Sequence, residues 1–238
     1  MLSKNQQKLI RQLSQKKYRQ QSGLFVAEGE KVVNELLDSG WIAHQIYTSE
    51  PFQKITHTLV DSSVLKKISH LSSASPILGV FHLPKYDETI SDQGFSIALD
   101  SIADPGNFGT IIRLCDWYGI KNLFCSPNTV DCFNPKVVQS TMGSIARVNC
   151  HYTDLHTLIE NWDAKVYAAT LDGSSHYKES FSSCGLLVLG NESHGISDEL
   201  LEKIENRITI PSYSKGYGAE SLNVATATAI LLSEVFRP

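Results

Sequence analysis

From about Phe95 onward the chain repeats one pattern, a short apolar run of strand length, a turn, and then a helix-length run with apolar residues three and four apart. SIALD is followed by NFGTIIRLCDWYG, NLFCS by NPKVVQSTMGSIA, and RITIP by SLNVATATAILLSEVF, with KVYAATL and LLVLG between them. Strands that alternate with helices need crossover connections rather than hairpins, so an α/β fold with a mostly parallel sheet covered on both faces is expected. Ligands of such sheets bind just beyond the carboxyl ends of the strands. The loops at 101–107, 170–176, 190–196 and 211–221 are therefore the places to look for a site.

Ahead of this region lies a smaller α/β unit. It opens on a basic amphipathic stretch with Leu9, Ile10 and Leu13, and continues through LFVAEG, a helical KVVNELLDSG, HQIYTS, THTLV, a helical DSSVLKKIS and PILGVFHL. Residues 84–94, PKYDETISDQG, are polar and bounded by Pro84 and Gly94, as a domain linker is. The expected division is 1–83, a linker at 84–94, and 95–238.

A net charge of −4 argues against a protein that coats nucleic acid indiscriminately, but the charge is uneven. Met1 to Lys31 carries Lys4, Lys8, Arg11, Lys16, Lys17, Arg19 and Lys31 against only Glu28 and Glu30. This start has no apolar core of a signal peptide, and no segment reaches the roughly 18 apolar residues of a membrane span, so a cytoplasmic protein without membrane contact is expected. Cys115, Cys125, Cys132, Cys150 and Cys184 are odd in number, form no CxxC and lie in apolar stretches, which reads as reduced core thiols. Cys150, His151 and His156 are near neighbours but complete no recognisable ligand set, so no metal is expected.

Three segments carry chemistry. In NFGTIIR, Asn107 to Arg113, the apolar residues Phe108, Ile111 and Ile112 continue to Cys115 at helical spacing. Gly109 and Arg113 share a face, so Arg113 can lean back over the bare glycine toward the helix N-terminus, where a substrate phosphate would compensate it. The alternative is an ordinary salt bridge for Arg113 and close packing for Gly109. In LGNESHGIS, Leu189 to Ser197, Gly190 and Gly195 allow a tight turn and close approach to a ligand, and Glu192 adds a carboxylate at the strand end. His194 has no evident partner and reads as a loop residue. In ITIPSYSKGYGAESLNVATATAILLSE a strand closes at Pro211 and a helix begins near Ser221, a natural N-cap. Asn223 just inside that helix is unexpected, and Ala225, Ala227 and Ala229 suit close packing against another helix or a second subunit.

NxGxxxR at 107–113, LGxExxG at 189–195 and IP…ESLNV at 210–224, in this order and at this separation, resemble the SpoU or TrmH-type RNA 2′-O-methyltransferases of the SPOUT superfamily. The resemblance runs from about Phe95 to Phe236, and the N-terminal unit looks like the RNA-binding domain often fused to that family. It implies a C-terminal SPOUT domain with a deep trefoil knot and S-adenosylmethionine bent within it, its adenine held largely by backbone groups. Carried over residue by residue, Leu189, Gly190, Ile210, Ser221, Leu222 and Asn223 lie near the cofactor. Asn107, Arg113, Glu192, Ser221 and Asn223 carry the active site. Family members are homodimers in which the first-motif arginine meets cofactor held by the partner. Two departures stand out: the loop between Pro211 and Glu220 is longer than usual and has Ser212 where a methionine is common, and Asn206 replaces a common aspartate.

The expected reaction is methylation of a ribose 2′-hydroxyl in structured RNA, with ribosomal RNA favoured over transfer RNA. Arginine is a poor base while charged, so Arg113 is expected to bind a phosphate and orient the hydroxyl. The basic stretch from Lys4 to Lys31, with Lys16, Lys17 and Arg19 in it, is expected to grip further phosphates, the alternative being a solvated helix face. Two alternatives stay open at this point. GYGAES, Gly216 to Ser221, approximates a dinucleotide fingerprint and suggests an oxidoreductase, although the chain ends seventeen residues after Ser221 with no later acidic residue at ribose-binding distance. An inactive RNA-binding or assembly protein is the other.

Overall fold

The computed structural model describes residues 2–85, 94–214 and 219–238. Most of the expected linker and residues 215–218, which include the start of GYGAES, lie outside them. In chain order the elements are α1 (Lys4–Gln12), α2 (Lys16–Ser22), β1 (Leu24–Glu28), α3 (Glu30–Asp38), β2 (Ala43–Thr48), β3 (Thr58–Leu59), α4 (Ser62–Ile68) and β4 (Ile77–His82). There follow β5 (Phe95–Leu99), α5 (Pro105–Trp117), β6 (Asn122–Cys125), α6 (Pro135–Thr141), β7 (Asn149–Tyr152), α7 (Leu155–Glu160), β8 (Val166–Ser175), β9 (Gly185–Leu189), α8 (Asp198–Leu201), β10 (Asn206–Thr209) and α9 (Val224–Val235). No helix of the described residues is long and apolar enough to cross a membrane.

The first compact unit comprises Met1–Tyr86 together with Asp131–Arg147. Its sheet runs β1-β4-β2-β3, antiparallel except for the β2–β3 pair. Strand alternation sends Leu24 and Val26 into a core with Ile10, Leu13, Leu65 and Ile68, which is what holds α1 and α4. Phe25, between them in sequence, points the other way and meets Trp41, Phe81 and Phe133. That second apolar face needs a cover, and the 131–147 segment with α6 supplies it through the buried Val137 and Val138. A contiguous division of the chain misses this, because the segment reads as one more βα repeat.

Arg19 corrects an expectation. It is only 2% exposed, its Nε and Nη2 hold Asp131 Oδ2, and its Nη1 donates to the Leu13 carbonyl at 2.7 Å. A guanidinium so enclosed cannot grip an RNA phosphate; its charge is taken up by Asp131, on the segment that covers the sheet. Lys16 and Lys17 are exposed.

The second unit, Asp87–Val130 with Val148–Pro238, contains a six-stranded sheet in the order β10-β8-β9-β5-β6-β7. All its pairings are parallel, as the alternating pattern requires. One face is closed by Leu155, Ile159, Ile196, Leu200 and Ile204 against Ala98, Phe124, Ala168, Leu186 and Val188. On the other, α5 packs against α9, and the Phe236 ring reaches Phe95 and Tyr118. The expected loop at 170–176 is instead mostly strand. Strand β8 continues to Ser175, but its pairing with β10 jumps from Arg207↔Ala168 to Ile208↔Ser174, so the residues between bulge outward. Asn206 donates its amide to the Val166 carbonyl at 3.1 Å, tying β10 to β8 in a way an aspartate could not.

Candidate active site

β5 and β9 are neighbours, and the chain runs from β5 to β6 on one side and from β9 to β10 on the other, so the crevice of this fold opens at the carboxyl ends of β5 and β9. Leu99 and Leu189 are paired there, and two motif loops leave from the same level. The β5 loop is held by the largely buried Asp100, which sequence reasoning missed although it is a charge ending an apolar strand. Its carboxylate accepts from the Ser197 backbone at 2.9 Å and from the Ser101 hydroxyl at 3.0 Å. Ser101 sits at φ 60°, a conformation uncommon for a residue with a side chain. It is kept there by donation to Ser126 Oγ at 2.8 Å and by the Asn191 amide on its carbonyl at 2.7 Å.

Asp104 then caps α5, accepting from the Asn107 backbone at 2.8 Å, and Pro105 occupies the first helical position. This fixes Asn107 in the first turn. Its Nδ2 donates to Glu192 Oε1 at 3.0 Å, while its Oδ1 accepts from Asn223 Nδ2 at 2.8 Å. The second oxygen of Glu192 lies 3.5 Å from the Ala103 backbone N–H. One residue from each of the three motif segments thus enters a single hydrogen-bonded chain.

The third segment differs from expectation in its cap. Helix α9 begins at Val224 and its N-cap is Asn223, whose Oδ1 accepts from Ala225 N at 3.0 Å and Thr226 N at 3.2 Å. Asn223 therefore stands at the helix boundary, where asparagine is favoured, and not inside, while Ser221 is not the cap. The oxygen of its amide holds the helix and the nitrogen holds Asn107.

The Leu189 to Ser197 loop folds on itself. Asn191 and Gly195 exchange backbone hydrogen bonds of 2.9 Å each way, and Gly195 has φ 72°. A Cβ on Gly190 would fall 2.1 Å from the backbone of Gly195 and Ile196, so the close approach that this glycine permits is first of all to its own turn. His194 Nδ1 lies 3.3 Å from Asn191 Oδ1, within the loop.

Of the other candidates, Leu189 is buried, Gly190 and Ile210 are half-buried, and Ser221 and Leu222 are exposed beside Asn223. Arg113 is exposed and does not join the chain of Asn107, Glu192 and Asn223; among the described residues it has no carboxylate partner. Because α5 starts at Pro105, Arg113 stands about 12 Å along the axis, beyond the first turn where the helix dipole acts. Gly109 is buried in packing, as the alternative reading of this pair has it. Cys115 is fully enclosed, and burial pushes its thiol far up, so it is chemically quiet.

Comparison with known proteins matches two contiguous parts of the chain. Residues 94–233 match the SpoU rRNA Methylase family, and residues 4–79 match the MRM3-like substrate binding domain. The chain is 31% identical to the 23S rRNA (guanosine(2553)-2′-O)-methyltransferase RlmP of Bacillus subtilis over 97% of this chain and 96% of that one. Among solved structures, an AdoMet-bound rRNA methyltransferase from Sinorhizobium meliloti superposes with a TM-score of 0.88 at 30% identity, covering 100% of this chain and 97% of that one. A TrmH-family protein from Porphyromonas gingivalis gives 0.87 at 38% identity, covering 100% and 99%.

Proposed function

The chain belongs to the SpoU rRNA methylase family, and on that premise we propose that it methylates a ribose 2′-hydroxyl of ribosomal RNA with S-adenosylmethionine. The observation that carries this reading is the closure of three distant motifs into the chain Asn223–Asn107–Glu192 at the crevice of the sheet. A scaffold without chemistry has no need of it. The dinucleotide alternative is set aside by the family to which the chain belongs.

The residues at the crevice fit the cofactor. A cationic, amphipathic molecule needs apolar contact, backbone groups and an anionic or amide oxygen within one small space. Leu222, 48% exposed despite its apolar side chain, stands beside Asn223, and the Glu192 carboxylate is the other end of the Asn107 link. We assign Leu189, Gly190, Ile210, Ser221, Leu222 and Asn223 to hold it. When bound, it supplies an electrophilic methyl group on a sulfonium.

The chain's own part is largely positional. With such a donor bound, the 2′-oxygen would have to be held in line with the methyl group, and that positioning is what the chain's residues would supply. Held orientation of this kind can contribute on the order of 7–11 kcal/mol. Asn107, Glu192 and Asn223 fix one side of the crevice through their mutual hydrogen bonds. Arg113 binds the phosphate of the acceptor nucleotide and presents the hydroxyl, whose proton leaves to water; a permanently charged guanidinium is not the base.

Arg113 does this in the site of a second copy. It is exposed, cut off from the chain of Asn107, and one turn from Trp117, which is 84% exposed. Its helix packs on α9, whose C-cap is the 41% exposed Phe236. An arginine beside bare aromatic surface suits an interface between subunits better than open solvent. Membership also carries the expectation of the trefoil knot, and Cys115, Cys125, Cys132, Cys150 and Cys184, none of them in a disulfide, fit a reducing cytoplasm.

The test is methyl transfer from labelled S-adenosylmethionine into total RNA and into a 23S rRNA transcript, with mapping of the 2′-O-methyl position. Incorporation into a ribose of ribosomal RNA is expected. Incorporation into no RNA would leave the assembly-protein reading in front, and incorporation confined to transfer RNA would overturn the substrate class.

A further inference from the structure

We propose that the open face of α1 is a built contact for the ribose-phosphate backbone of the RNA, formed by Lys4, Lys8 and Arg11 interleaved with Gln7, Gln12 and Gln15. This rests on the RNA substrate proposed for the chain and narrows the phosphate grip expected of Lys4 to Lys31 to the first helix of that stretch, away from Lys16, Lys17 and Arg19. The six side chains line one depression in the first unit. Lys4, Gln7, Lys8, Arg11 and Gln12 fall at the three- and four-residue intervals of a single face of α1, opposite the side that buries Ile10 with Leu65 and Ile68, and Gln15 joins them from the N-cap of α2.

The charge on this face is uncompensated. α1 contains no Asp or Glu, and among the described residues Lys4, Lys8 and Arg11 have no carboxylate partner. Arg11 uses Nε on the Lys67 carbonyl at 2.8 Å, which fixes its stem and leaves both Nη groups for a ligand. Lys66 and Lys67, exposed in the last turn of α4, extend the same positive field. The charge of Arg19, by contrast, is already taken up by Asp131.

The face is also held ready. Ser3 caps α1 by accepting from Gln6 N, and Gln6 Oε1 accepts from Ser3 N at 2.9 Å, a reciprocal box that secures the first turn. From Lys4 to Lys8 the helix rises about 6 Å and from Lys8 to Arg11 about 4.5 Å. Between the cations stand amides that both donate and accept. An RNA backbone alternates anionic oxygens with 2′-hydroxyls that do the same, so it matches both the charges and the amides. An acidic protein surface would match the charges alone.

The experiment compares full-length wild type, Lys4→Ala with Lys8→Ala, and Lys16→Ala with Lys17→Ala for binding to a 23S rRNA transcript across a salt series. For the α1 pair, Kd is expected to weaken tenfold or more, and the slope of log K against log salt to shrink by about 1.4–1.8. KM for RNA should rise with kcat, S-adenosylmethionine affinity and Tm unchanged. Arg11→Gln is a separate variant because Arg11 also touches Lys67. A Lys4 and Lys8 variant with wild-type Kd and salt slope overturns the cradle and leaves an acidic protein partner as the occupant to seek. If wild type transfers no methyl group while the α1 pair still weakens binding to the transcript, the activity falls and the cradle stands; if wild type transfers and the α1 pair is indistinguishable from it, the cradle alone falls.

Discussion

Asn107 and Glu192, 85 residues apart in the chain, share a hydrogen bond of 3.0 Å from Nδ2 to Oε1, and it leaves the opposite edge of the same amide for Asn223. Only a side chain that donates and accepts at once can link a carboxylate to a second amide in this way. Asn107→Leu removes both bonds, and Asn107→Asp sets a second carboxylate against Glu192, where like charges about 3 Å apart cannot both ionise easily. Single-turnover methyl transfer is expected to fall on the order of 10²-fold for the leucine variant and further for the aspartate, with S-adenosylmethionine binding weakened most in the latter. A leucine variant with wild-type rate would show that the link is ornamental.

Asn223 separates two roles that a single alanine would confuse. Its oxygen caps α9 and its nitrogen holds Asn107. Asn223→Ala should lose about 1 kcal/mol of stability, or roughly 2–4 °C in Tm for a chain of this size, together with activity. Asn223→Asp keeps a good cap but cannot donate, so Tm should stay near wild type while methyl transfer drops. Thermal melts beside initial rates distinguish the two, and an aspartate variant that loses Tm and keeps its rate would contradict the assignment.

These roles show why the sequence was legible only in part. The parallel sheet was readable because five of its six strands, β5, β6, β8, β9 and β10, carry their own apolar runs, and periodicity is a local property. The three motifs were readable as segments, but nothing local says that Asn107 bonds to Glu192 rather than to its own helix. The four-residue edge strand NCHY (β7) was missed because its alternation is too short to signal. The placement of 131–147 with the first unit, and with it the burial of Arg19, depends on which face of β1 needs a cover. That is decided by Phe25 and Phe133, more than 100 residues apart.

The Arg19–Asp131 pair should act on stability and not on RNA affinity. Removing one partner of an enclosed ion pair typically costs about 3–5 kcal/mol, because the other charge is left without its partner. Arg19→Met is expected to lose stability on that scale. Arg19→Met with Asp131→Asn should regain much of it, since the amide that replaces the carboxylate carries no charge and can still accept from the Phe133 backbone through its oxygen. At a temperature where the single variant is folded, its salt slope for RNA binding should equal that of wild type. A slope reduced by nearly one would return Arg19 to the RNA surface.

His70 predicts how stability responds to acid. Desolvation lowers its pKa below the ordinary 6.5, against the opposing pull of its hydrogen bond to the Ile10 carbonyl and of Glu28, while Arg19 and Arg11 add to the lowering. Between the lowered value and 6.5 the unfolded chain binds a proton that the folded one refuses, so stability rises with pH across that window. It is fully present above 6.5 and is lost as pH falls toward the folded value; His151, lowered by burial, acts in the same direction. Tm should be lower at pH 5.5 than at 7.5, and His70→Gln, which can still donate to Ile10, should narrow the difference. An unchanged difference in that variant would assign the acid sensitivity elsewhere.

Arg113 makes the subunit arrangement testable without a structure of the complex. If it serves the partner's crevice, a dimer of Arg113→Ala with Glu192→Ala has one site that lacks both residues and one that is intact. Each homodimer should be inactive, and co-expression at equal levels should recover about a quarter of wild-type activity, since half the dimers are mixed and each of those has one working site. If Arg113 serves its own crevice instead, no combination restores an intact site and activity stays at the level of the homodimers. Arg113→Lys, tested at saturating RNA and cofactor, then asks what the residue does there: a planar guanidinium that holds a phosphate and presents the hydroxyl is not replaced by an ammonium, and kcat should fall. A lysine variant with the full rate would reduce Arg113 to a general positive charge at the interface.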